Sequence, residues 1–123
     1  MEIFGTMPDG TPVRRICLNG GGLSASFLTY GTVLQDLRLE GHDAPLVLGF
    51  EVFPPYLTQS PYFGATAGRC ANRIRDGHVE IDGKVYQLDR NFIGKHSLHG
   101  GSLSMGKRCW ELKDATANAA VFA

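Results

Sequence analysis

The dipeptide Asp82-Gly83 constrains the fold of this chain more than any other feature. It stands between two runs of strand-forming residues, His78-Val79-Glu80-Ile81 and Lys84-Val85-Tyr86-Gln87-Leu88. A two-residue type I′ turn needs positive φ at both central positions, and Asp-Gly meets that need. The turn sets a register in which Ile81 faces Lys84 and Val79 faces Tyr86. One face of the hairpin then carries Val79, Ile81, Tyr86 and Leu88. The other carries His78, Glu80, Val85 and Gln87 and is mostly polar.

The rest of the chain reads as strand and turn too. Leu23-Ser24-Ala25-Ser26-Phe27 alternates apolar with small polar residues, a period of two. Tyr30-Gly31 breaks it, and Val33 to Leu39 forms a second run with Asp36, Arg38 and Glu40 on a solvated face. Pro45-Leu46-Val47-Leu48-Gly49-Phe50 is continuously apolar, as expected of a buried strand. Phe53 to Ser60, with Pro54-Pro55, reads as a loop, and Trp110-Glu111-Leu112 as a strand. No window carries a sustained helical repeat with a cap at its start. The small residues of Ala65 to Arg75 suit a helix, but Gly64 and Gly68 weaken it, so strand and loop are predicted there. The 16 glycines form no low-complexity run and suit the turns and bulges of an all-β chain.

Composition mainly excludes. At 123 residues the chain is one domain or part of one. Lys plus Arg and Asp plus Glu number 12 each, so the formal net charge is zero. That argues against nucleic acid or an anionic membrane as partner. Three cysteines, Cys17, Cys70 and Cys109, lie far apart with no CxxC spacing. They are expected to be reduced, buried and inert, with a cytoplasmic home and neither a disulfide framework nor a zinc site. The start, Met1-Glu2-Ile3-Phe4-Gly5, does not read as a signal peptide, and no segment is long enough to span a bilayer. After a turn over Asp114 to Asn118, an apolar run begins at Ala119 and ends at Ala123. A half-started strand leaves unpaired backbone, so the chain is expected to be the front part of a longer β protein. The milder alternative is a short edge strand or a tail.

The chemistry concentrates on either side of the hairpin, in Gly68-Arg69-Cys70-Ala71-Asn72-Arg73-Ile74 and in Leu98-His99-Gly100-Gly101. Arg73 supplies a planar fork of donors that stays protonated, so it binds and orients but is neither acid nor base. Asn72 both donates and accepts. His99 brings the side chain that ordinarily changes charge near neutrality. Gly100-Gly101 lets backbone approach closely. Together these groups suit a neutral, hydroxyl-rich ligand. The bland alternatives are a surface or ion-paired Arg73 and a satisfied loop His99. Arg69 is expected to brace the strand from behind. His42 and His78 are expected to be solvated. His96 and His99 are three apart, but no acidic or Cys partner is near in sequence, so no metal is expected.

The ordered set Thr29-Tyr30-Gly31, Val47-Leu48-Gly49-Phe50, Tyr56, Pro61-Tyr62-Phe63-Gly64-Ala65, Gly68-Arg69, Ala71-Asn72-Arg73-Ile74, Asp82-Gly83, Tyr86, Leu88, Asn91, Ser97-Leu98-His99-Gly100-Gly101 and Trp110 resembles the aldose 1-epimerases, or galactose mutarotases. The resemblance implies a large antiparallel β-sandwich with a sugar cleft on one sheet. Residues 1–123 would be the N-terminal part of that single domain. It implies interconversion of the α and β anomers of aldoses such as galactose or glucose, by acid/base ring opening and without a cofactor. It also implies that Asn72 and Arg73 are the sugar-binding pair and His99 the sugar-facing histidine that assists the proton donor. Tyr62 and Phe63 then wall the sugar or pack in the core. The family's proton-donating second histidine, its sugar-binding aspartate and its glutamate base have no counterpart up to Ala123. His96 stands where the family often has Asn. Two other readings share the fold: a carbohydrate-binding module or truncated remnant without catalysis, and an enzyme for a hexose phosphate with Lys95, Lys107 and Arg108 as the extra cations.

Overall fold

A computed structural model describes residues 1–59 and 62–123. Ser60, the end of the expected loop, and Pro61, the first residue of the Pro-Tyr-Phe-Gly-Ala motif, lie outside the described residues. The chain divides into two compact units, Met1–Thr66 with Cys109–Ala123, and Ala67–Arg108.

The first unit is built on a four-stranded antiparallel meander, β1 (Glu2–Thr6), β2 (Pro12–Gly20), β3 (Leu23–Leu28) and β4 (Leu34–Leu39), paired in sequence order. The alternation of Leu23 to Phe27 and the run from Val33 to Leu39 thus become β3 and β4. Asp36 and Arg38 on β4 pair with each other, Oδ2 to Nε at 2.8 Å. The core of the unit is Val13, Leu28, Tyr30, Val33, Phe53 and Tyr56. Tyr30 meets Phe53 edge-on at 5.3 Å between ring centres, and Phe50 meets Tyr56 at 5.2 Å. Fully burying a Val, Leu or Phe side chain contributes about 1.5–3 kcal/mol. An exposed ion pair such as Arg15–Glu2 contributes about 0–1 kcal/mol. The aromatic and aliphatic core therefore holds this unit together, and its surface charges do not.

Three sequence expectations change here. Pro45 to Phe50 is not a buried strand: Leu46 and Leu48 are 45% and 70% exposed. Leu46 N–H still reaches Leu37 O on β4 at 2.8 Å, but at Phe50 side chains take the backbone groups that a neighbouring strand would otherwise satisfy. Phe50 N–H donates to the Tyr56 hydroxyl at 2.8 Å, and Phe50 C=O accepts from Gln35 Nε2 at 3.1 Å. Phe53 to Ser60 is not all loop, because Pro54–Thr58 forms a short helix, α1. Proline is tolerated in a first helical turn, where its missing N–H is not needed, and buried Tyr56 anchors the turn to the core. The strand expected at Trp110 starts later, as β9 (Leu112–Ala115), and the apolar run at Ala119 becomes β10 (Ala120–Phe122), paired with it. That run is therefore hydrogen-bonded rather than bare. The Trp110 backbone N–H donates to Thr29 O at 2.8 Å.

The second unit holds two small antiparallel pairs. One is β5 (Arg73–Ile74) with β8 (Ser97–Leu98). The other is the hairpin β6 (His78–Ile81) with β7 (Lys84–Gln87), in the register set by Asp82-Gly83: Val79 opposite Tyr86 and Ile81 opposite Lys84. Both turn residues have positive φ, 51° at Asp82 and 73° at Gly83, as a type I′ turn requires. Leu88 falls just beyond β7, its N–H bonded to Gly77 O at 2.6 Å. Ala65 to Arg75 is strand and irregular chain, with a 3-10 turn at Arg75–Gly77. No helix among the described residues is long and apolar enough to cross a membrane.

Candidate functional site

The pairing of β5 with β8 is the scaffold. Arg73 stands opposite Leu98 and Ile74 opposite Ser97. Leu98 and Ser97 are buried, while Arg73 is exposed. One rung further out, Asn72 faces His99. Both leave the extended region, with φ of 61° and 50°. L-residues enter that left-handed region at a cost, and Asn does so more readily than most. His99 N–H donates to Asn72 O at 2.9 Å, as in an ordinary antiparallel rung. The return bond is different: Asn72 N–H donates to Nδ1 of the His99 ring at 3.0 Å. Asn72 Oδ1 in turn accepts from Arg73 Nη1 at 2.8 Å. The Arg73 guanidinium carbon lies 4.3 Å from the centre of the Phe92 ring, in cation–π range.

The structure thus brings together all three residues singled out in the sequence. Arg73, Asn72 and His99 form one bonded cluster with Asn72 at its centre. A bridging residue in left-handed conformation is what lets neighbours from opposite strands reach one another. In a flat ladder, Arg73 and the residue facing Asn72 would point to opposite faces.

Supporting bonds fix the rest of the loop. The Asn91 side chain spans Leu98, donating from Nδ2 to its C=O at 3.0 Å and accepting its N–H on Oδ1 at 2.8 Å. Asp89 Oδ2 accepts from Ser102 N–H at 2.6 Å. Hydrogen bonding from Ser102, by its hydroxyl first and then its backbone, holds the Asp89 carboxyl below the usual aspartate range. Gly100, at φ 88°, leaves no room for a side chain: a Cβ there would sit 1.9 Å from Gly68 O. The His99 arrangement also recurs nearby. Asp76, at φ 53°, donates its N–H to Nδ1 of His96 at 3.0 Å.

Other expectations fare differently. Arg69 is exposed, with no side-chain hydrogen bond or ion pair among the described residues to brace the strand. Cys17 and Cys70 are exposed rather than buried, and Cys109 is half-buried, with burial pushing its thiol pKa up. Phe63 packs against the core of the first unit, stacked on Phe50 at 5.4 Å. His42 and His78 are exposed as expected. Lys95 Nζ lies 4.0 Å from Asp76 Oδ1, and Arg108 Nε donates to Leu103 O at 2.9 Å. Among the described residues no three His, Cys, Asp or Glu side chains converge as a metal set. A groove of about 360 Å³ in the first unit, lined by Arg15, Gln35, Arg38 and Phe50, has its two cations paired with Glu2 and Asp36.

Phe92, Asn91 and Asp89 were not foreseen in these roles. The Phe92 ring reaches Arg73 from nineteen positions along the chain, and no local pattern signals such a stack. Asn91 carried one legible hint, a lone amide just before the Leu-His-Gly-Gly segment that it pins.

Comparison with known proteins comes down on one family. The family model described as aldose 1-epimerase matches residues 14–123. A galactose mutarotase of Sus scrofa is 38% identical over 113 residues, covering 89% of this chain and 33% of that protein. The bifunctional protein gal10 of Schizosaccharomyces pombe is 40% identical over 106 residues, covering 85% of this chain and 14% of that protein. The crystal structure of a GalM/aldose epimerase homologue from C. elegans superposes with a TM-score of 0.79 at 33% identity, covering 89% of this chain and 35% of that one. The chain thus spans about a third of the length of the mutarotase it matches, with the antiparallel β-sandwich fold of the aldose epimerases. With most of its length matched in sequence and in structure, this chain belongs to the aldose 1-epimerase family.

Proposed function

We propose that the Arg73–Asn72–His99 cluster grips an aldose in its pyranose form, and that the protein catalyses exchange between α and β anomers. The observation that carries this reading is the bond of Asn72 to both other members, which holds an exposed cation and a half-buried imidazole together. Mutarotation needs a base to take the proton of the anomeric hydroxyl and an acid to protonate the ring oxygen. The C1–C2 bond then turns and the ring closes on its other face. Both acid and base need pKa values near the working pH. Arg73 takes neither role. Its fork holds ring hydroxyls, and charge-assisted bonds of that kind are roughly twice as strong as neutral ones. His99 hydrogen-bonds the sugar and assists the acid. The family's principal acid and base have no counterpart in residues 1–123, so these residues supply the binding side of the reaction. No cofactor enters the reaction. Three free cysteines go with a reducing, cytoplasmic setting.

A carbohydrate-binding module is the second reading, because exposed Asn72 and Arg73 can grip a hydroxyl-rich ligand whether or not chemistry follows. Polarimetry separates the two. The protein expressed from its whole gene is expected to speed the approach of fresh α-D-galactose to anomeric equilibrium. Binding with no acceleration, for galactose, glucose or any other aldose, overturns the catalytic reading in favour of the module.

A further inference from the structure

We infer that Asn72 is a positioning residue whose backbone N–H fixes the tautomer of His99 while its side chain fixes the fork of Arg73; the functional meaning of this rests on the sugar-site reading above. A neutral imidazole has one N–H and one lone pair, and its partners decide which nitrogen carries which. A peptide N–H can only donate. Asn72 N–H points at Nδ1 of His99 from 3.0 Å, so Nδ1 keeps the lone pair and the proton sits on Nε2. His99 Nε2 is therefore a donor and not an acceptor. A donor matches the lone pairs of a hydroxyl or of a ring oxygen. It also rules His99 out as the base through Nε2 while this bond stands.

The backbone makes the arrangement possible. In an antiparallel rung, two facing residues exchange both N–H···O bonds. Here one of the two is present, His99 N–H to Asn72 O. The left-handed φ values of Asn72 and His99 turn the peptide planes so that the ring takes the place of the His99 carbonyl. The Asn72 side chain acts separately, accepting from Arg73 Nη1 at 2.8 Å, and the Phe92 ring covers the same guanidinium. One residue thereby sets how the cation and the imidazole lie relative to each other.

The test uses ¹⁵N-labelled protein at a pH where the ring is neutral. A scalar coupling across the hydrogen bond, from the Asn72 amide nitrogen to His99 Nδ1, is expected together with ring shifts of the Nε2–H tautomer alone. Absence of the coupling with both signals visible, or an Nδ1–H ring, overturns the inference. Asn72→Gly separates the two roles, because glycine adopts φ 61° and keeps its N–H. That variant is expected to retain the coupling and to lose about two- to tenfold in galactose affinity, the cost of ordering a freed Arg73. Loss of the coupling in Asn72→Gly overturns the backbone assignment. Galactose that moves neither the Arg73 nor the His99 signals, with the coupling present, overturns the sugar reading and leaves the tautomer assignment standing.

Discussion

At the scale of single residues, the site is organised by backbone conformation as much as by side-chain chemistry. Asn72 and Asp76 each sit in the left-handed region and each give a peptide N–H to the Nδ1 of a histidine. The second pair offers a clean stability test. His96→Asn keeps an acceptor near the Asp76 N–H and is expected to leave unfolding free energy almost unchanged. His96→Leu removes the acceptor and is expected to cost about 1–2 kcal/mol in denaturant unfolding, since a half-buried donor loses its partner. Equal costs for the two variants would contradict the assignment. The cysteines allow a second check. Exposed Cys17 and Cys70 are expected to react with an alkylating reagent before half-buried Cys109, whose thiol burial disfavours as thiolate. Peptide mapping by mass spectrometry reads the order, and Cys109 reacting first would contradict it. The identities of Asn72, Arg73 and His99 were legible in the sequence because each carries distinctive chemistry inside a motif. Their connections were not, because a left-handed φ at Asn or His leaves no mark in composition or periodicity.

Among elements, legibility followed how local the determining physics is. The β6–β7 hairpin was readable down to its register, because a two-residue turn fixes pairing from adjacent residues. Pro45 to Phe50 was not. Its apolar run carries no information about whether its backbone will pair along a strand or end, as at Phe50, on the side chains of Gln35 and Tyr56. Pro54–Pro55 misled for the converse reason, since the residue that breaks a helix interior is welcome in its first turn. The segment from Asp89 to Ser102 gives a pH-dependent prediction. Asp89 ionises more readily when folded, held low by Ser102. Its tether is therefore complete above the ordinary aspartate value of 3.8 and is lost as pH falls through the lower folded-state value. The Ser102 amide signal is expected to stay constant down to about pH 4 and to move only below that. A midpoint above 4, or no movement in acid, would show that the carboxylate is not its partner.

For the whole molecule, family membership rests on most of the chain, and the candidate site on three of its residues. The chain spans about a third of the length of a galactose mutarotase, and on the proposed reading residues 1–123 supply the sugar-binding cluster while the acid and base that the resemblance implies have no counterpart among them. The 123-residue chain expressed alone is therefore expected to give no mutarotation above the uncatalysed rate by polarimetry, and turnover comparable to a complete aldose 1-epimerase would contradict that. The central claim is that the cluster around Asn72 holds a sugar through Arg73. The most direct measurement is a galactose titration of the protein from the whole gene, comparing wild type with Arg73→Ala and with Arg69→Ala as the exposed control. A charge-assisted hydrogen bond contributes about 1.5–3 kcal/mol, so Arg73→Ala is expected to weaken binding by about tenfold or more while Arg69→Ala leaves it unchanged. Equal affinity in wild type and Arg73→Ala, or a loss confined to Arg69→Ala, would contradict the account.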